Sequence, residues 1–112
     1  MKTATYVLRM VVTALGGLAI LPLPALAAGD IQRGKAVYEK NCQGCHGRAG
    51  QGVGGATPSL ADPARMSALT DQDLFEAVTK GRPGTGMPSW NSILSEQDRR
   101  DVVGYLRTFS RR

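Results

Sequence analysis

Cysteine and histidine are scarce in this 112-residue sequence, which has two of the first and one of the second. A disulfide-built scaffold needs several cysteine pairs, and a structural zinc site needs four Cys or His ligands, so neither description fits. Aromatic residues make up only 5% of the chain, which leaves little to fill a core. No segment alternates apolar and polar residues with strand period, and none repeats, so sheet and solenoid architectures are not indicated. The formal charge is +5, but no basic run is interleaved with aromatics, which argues against nucleic acid as a partner.

The N-terminus carries an address. Lys2 and Arg9 form a positive region, Met10 to Leu21 is uncharged and mostly apolar, and Pro22 and Pro24 break the run. Ala25-Leu26-Ala27 offers the small residues that a signal peptidase reads. The expectation is a secretory leader over 1–27, cleaved after Ala27 or Ala28, and one domain over 28–112. The rival is an uncleaved membrane anchor, since Met10 to Ala28 has no charge. Gly16, Gly17, the two prolines and the A-x-A site weigh against it. The remaining ~85 residues make a marginal core, and a fold this small usually needs a staple.

Cys42-Gln43-Gly44-Cys45-His46 supplies one. C-x-x-C-H is the attachment pattern of c-type haem. Two thiols on one helical turn can each add to a vinyl group of the same porphyrin, and the adjacent imidazole is then carried beneath the iron. A thioredoxin-like dithiol would need a βαβ context that is not found here, and a plain disulfide closing so short a loop would stabilise little.

The rest reads as helices joined by long loops. Asp30 is placed to cap a helix over Ile31 to about Asn41, with Ile31, Gly34, Tyr38 and Cys42 on one face. Gly34 in mid-helix costs about 1 kcal/mol against Ala, so close approach of another helix is expected there. Residues 47–57 hold five glycines and are expected to fold against the porphyrin edge; Asp62-Pro63 reads as a turn. Thr70 with Asp73 is a near capping box for a helix to about Lys80, closed by Gly81, with Leu74, Ala77 and Val78 as its apolar stripe. Gly84 and Gly86 allow a close approach at Met87, and Pro88 stiffens the exit. Ser95 caps the last helix, whose buried face is Val102, Tyr105, Leu106 and Phe109. Arg107, Arg111 and Arg112 read as solvated charges at its end.

Taken with Gly86-Met87-Pro88, the pentad makes the chain resemble the class I c-type cytochromes, small bacterial monohaem carriers, from about Asp30 to Phe109. The resemblance implies an all-α, cytochrome c-like fold with three main helices and Gly/Pro-rich loops around one covalent haem c, matured in the periplasm. It implies axial ligands His46 and Met87, with the Pro58 carbonyl behind the imidazole, Leu60 packed on the haem and Trp90 at its edge. Met66, the other methionine of the domain, lacks a shaping glycine or proline and reads as a packing residue. The implied function is transfer of single electrons between redox partner proteins, with the membrane involved only if the leader is uncleaved. The alternatives are a gas-binding or peroxidatic haem protein with an open sixth position, and a dithiol oxidoreductase without haem. The chain has no second histidine for a distal site.

Overall fold

The computed structural model describes residues 29–55 and 57–111, together with 16, 17 and 19. Most of the predicted leader and both predicted cleavage points lie outside the described residues. No described helix is long and apolar enough to cross a membrane. The described residues form five helices and no strand: α1 (Ile31–Asn41), α2 (Gln43–His46), α3 (Pro63–Ser67), α4 (Asp71–Lys80) and α5 (Glu96–Phe109).

Each long helix starts where a short polar side chain can satisfy an orphan backbone donor. The Asp30 carboxylate accepts from the N–H groups of Gln32 and Arg33 at 2.9 and 3.1 Å. At α4 the box is reciprocal: Thr70 Oγ1 accepts from Asp73 N–H at 3.0 Å, and Asp73 Oδ2 accepts from Thr70 N–H at 2.8 Å. Ser95 Oγ accepts from the Asp98 N–H at 3.0 Å. Asp62-Pro63 corrects the expectation of a turn. Asp62 caps α3, and Pro63 opens it at the position where a missing N–H costs nothing.

The core is built on the crossing of α1 and α5. A Cβ on Gly34 would overlap the Asp101 carbonyl and come within 3.0 Å of Tyr105 Cβ, so only glycine lets the two backbones meet. Tyr38, Tyr105 and Phe109 stack edge-to-face in a triangle with centroids 5.0–5.4 Å apart. Contacts of this kind add ~0.5–1.5 kcal/mol each beyond their buried area. Ile31, expected on the same face, is instead 44% exposed, because α5 meets α1 further along, at Gly34 and Tyr38.

Two polar ties reinforce this crossing. Asp101, fully buried, accepts through Oδ1 from the Asp30 N–H at 2.7 Å and from Gln97 Nε2 at 2.9 Å. Arg107 is not the solvated end charge that its position suggests. It pairs with Asp71 at 2.7 Å and donates to the carbonyls of Met66 and Leu69. One guanidinium thus fastens α5 to α3 and to the start of α4, since its planar fork can serve several acceptors at once. Met66 lies fully buried in the core.

Candidate functional site

A cavity of about 450 Å³ opens between the α1–α2 corner, residues 57–60, α4, the 82–90 loop and α5. Cys42, Cys45, His46, Pro58, Leu60, Met87 and Trp90, drawn from three separate stretches of the chain, all line it. The other lining side chains include Leu69, Leu74, Val78, Val102 and Leu106, so the wall is mostly apolar.

The pentad is shaped by backbone bonds at the end of α1. Cys42 N–H donates to the Tyr38 carbonyl at 2.8 Å, and the N–H groups of Cys45 and His46 both return to the Cys42 carbonyl, at 3.2 and 3.0 Å. That single turn brings both thiols and the imidazole to one wall. Gly47, with φ 86°, then turns the chain away, and its carbonyl accepts from the Tyr38 hydroxyl at 2.5 Å. Cys42 and Cys45 are free thiols. Burial first, and then Cys45, push the Cys42 thiol up to about 11. A thiolate nucleophile is favoured by the opposite shift.

His46 Nδ1 is buried and has no hydrogen-bond partner, and burial lowers the imidazole pKa. The ring is therefore held neutral, the form that ligates iron. The bond from Nδ1 to the Pro58 carbonyl implied by the resemblance is not made, although both residues line the same cavity. An unpaired buried nitrogen costs ~1–3 kcal/mol. Two free thiols, a neutral imidazole and a thioether on an apolar wall are together a donor set that fits a covalently held porphyrin.

Of the glycine-rich segment 47–57, expected against the porphyrin edge, Thr57 lines the cavity. None of Gly47, Gly50, Gly52, Gly54 and Gly55 lines the cavity. Gly50, at φ 69°, lies against the Phe109 ring, where a Cβ would sit 2.6 Å from the nearest ring carbon. Its carbonyl accepts from the Leu60 N–H at 2.6 Å. The loop is pinned to the aromatic triangle, and this is what carries Pro58 and Leu60 to the cavity.

The Met87 loop is fastened to the end of α4. Arg82 N–H donates to the Met87 carbonyl at 3.1 Å, Ser89 Oγ to the Thr79 carbonyl at 2.6 Å and Trp90 N–H to the Val78 carbonyl at 3.1 Å. The close approach is made by Gly81, at φ 68°, where a Cβ would meet Pro88 and the Met87 carbonyl at 2.6–2.7 Å. Gly86 lines the cavity beside Met87, and neither Gly84 nor Gly86 has a protein atom within 4 Å of an added Cβ. Arg65 and Arg82 also line the cavity, and neither was among the candidate residues. No local pattern marks them, because each reaches the site from its own segment.

An all-helical fold that gathers C-x-x-C-H and a loop methionine on one apolar cavity defines a c-type cytochrome. The chain belongs to the family described as cytochrome c oxidase, cbb3-type, subunit III, whose pattern matches residues 29–106. It is 36% identical to cytochrome c55X of Stutzerimonas stutzeri, over 95% of this chain and 90% of that one. It is also 36% identical to dihydro-heme d1 dehydrogenase of Pseudomonas aeruginosa, over 88% of this chain but 19% of that much longer one. Cytochrome c6 of the diatom Phaeodactylum tricornutum superposes with a TM-score of 0.63 at 24% identity, over 74% of this chain and 97% of that one, and shares the fold. The chain is therefore a cytochrome c of the electron-carrier type, and its cofactor is covalently bound haem c.

Proposed function

We propose that this protein is an exported, periplasmic monohaem carrier that passes single electrons between redox partners, with iron held by His46 and Met87. The observation that supports this most directly is the convergence of the only histidine of the chain and one loop methionine on the cavity that also holds both thiols. Bound haem supplies a one-electron iron couple. Cys42 and Cys45 tether it as thioethers. His46 contributes a neutral imidazole, kept so by burial. Met87 contributes a soft thioether that favours the ferrous state and raises the potential above that of a bis-imidazole site. The apolar wall works in the same direction, because it disfavours the additional charge of the ferric state. An imidazole and a thioether both committed to the iron would leave no position for a substrate and would confine the site to electron exchange. The same chemistry serves a free shuttle and an electron-transfer module of a larger enzyme; the dehydrogenase relative and the oxidase-subunit family are the observations that favour the second form.

Protein matured in a periplasm and examined by denaturing mass spectrometry is expected to show the chain without residues 1–27 or 1–28, plus one haem. Its visible spectrum is expected to be low-spin and six-coordinate in both oxidation states. A bare chain from which acid solvent extracts haem, or a high-spin spectrum, contradicts the reading.

A further inference from the structure

Arg99 is 8% exposed and has no carboxylate partner among the described residues. It is nevertheless held through Nη1 and Nε. Nη1 donates to Thr79 Oγ1 at 2.9 Å and to Asn91 Oδ1 at 2.8 Å, and Nε reaches the Ser95 carbonyl at 3.4 Å. The guanidinium lies 5.2 Å from the Phe75 ring centroid, close enough for a cation–π contact. Thr79 is bound in turn to the loop that carries Met87, because its carbonyl accepts from Ser89 Oγ at 2.6 Å. Asn91 N–H in turn reaches Ser89 Oγ at 3.5 Å, so Arg99, Thr79, Ser89 and Asn91 form a polar ring around the exit of that loop. It joins α4, α5 and residues 89–91, immediately after Met87 and Pro88.

We infer that Arg99 is a positioning residue that latches the Met87 loop shut, and so sets how readily the thioether leaves the iron. This rests on the reading of Met87 as a ligand. The latch differs from ordinary packing in where it acts. Arg107, two turns further along α5, also makes three contacts, but all of them run to Met66, Leu69 and Asp71 and none to the Met87 loop. Both arginines support the fold; only Arg99 holds the 89–91 segment. A buried guanidinium with three acceptors on three elements has no equivalent in a shorter or neutral side chain. Removing it leaves Thr79 Oγ1 and Asn91 Oδ1 without this donor, and the loop is then retained only by its bonds to the end of α4.

The test uses the haem-loaded wild type and its Arg99→Gln, Arg99→Lys, Asn91→Leu, Arg107→Gln and Met87→Ala variants, with carbon monoxide uptake by the ferrous protein as the readout. Asn91 is exposed, so its variant folds even if Arg99→Gln does not. Arg99→Gln and Asn91→Leu are expected to take up carbon monoxide about tenfold faster than wild type, equivalent to ~1.4 kcal/mol. Arg99→Lys is expected to recover part of that difference. Arg107→Gln is expected to melt at a lower temperature yet bind at the wild-type rate. Equal acceleration in Arg107→Gln, or none in Arg99→Gln and Asn91→Leu while Met87→Ala accelerates, overturns the latch alone. Met87→Ala taking up carbon monoxide no faster than wild type overturns the ligand assignment, and the latch with it.

Discussion

The α1–α5 crossing and the haem cavity are built on different terms. At the crossing, protein meets protein: Gly34 against the Asp101 carbonyl, three aromatic rings against each other, and the Asp101 carboxylate holding the start of α1. At the cavity, apolar side chains surround about 450 Å³ of space, and the Nδ1 of its one imidazole has no partner. Asp101 also keeps one buried oxygen unpaired, but its other oxygen has two donors, whereas His46 Nδ1 has none. On the function proposed above, the first region holds itself together and the second is completed by the cofactor.

That contrast can be broken from either side. The largest effect is expected from Cys42→Ala and Cys45→Ala, which weaken the tether of the group that completes the core. Circular dichroism is expected to show a large loss of helix in the double variant. An apo form as helical as wild type would mean that the cavity half stands alone. Gly34→Ala comes next, since its Cβ has no room between α1 and the Asp101 carbonyl. Overpacking of this kind costs ~1–3 kcal/mol, which thermal melting of the holoprotein would report while the visible spectrum stays unchanged.

The smallest effect is expected at the α4 cap, which belongs to neither region. Thr70→Ala should cost ~1 kcal/mol. Hydrogen bonds from the Thr70 backbone and hydroxyl lower the pKa of Asp73. A carboxylate depressed in the folded state stabilises above its ordinary pKa and ceases to do so as pH falls through the lowered value. Stability measured across the acid range should therefore decline more gently in Thr70→Ala than in wild type. Parallel acid limbs would show that the box does not hold the carboxylate.

What the sequence revealed follows the same division between local and distant causes. The caps at Asp30, Thr70 and Ser95 were legible because a cap is written within four residues. Gly34 was legible because a glycine inside a helix demands a reason, and the seven site residues were legible from the pentad and from the resemblance that it opened. Arg107 was not, since every partner it holds is supplied by a distant segment, and neither was the reach of Arg99 to Thr79, twenty residues back. The protein contacts of the glycines were hidden for a related reason. Composition marks where the backbone is free, and only the fold shows that Gly81 makes the close approach while Gly50 packs on Phe109.

The central claim is that Met87, and not Met66, completes the iron site. Met66 is 1% exposed in the core, and Met87 lines the cavity. Met66→Ala should lower stability by ~2–5 kcal/mol through the space it leaves, with the low-spin spectrum and the potential retained. Met87→Ala should keep haem attached through both thioethers, bind carbon monoxide readily when ferrous and titrate at a lower potential. A redox titration without carbon monoxide, followed by carbon monoxide binding to the reduced protein and run on both variants, decides between them: a Met66→Ala protein that opens while Met87→Ala stays closed would contradict the account.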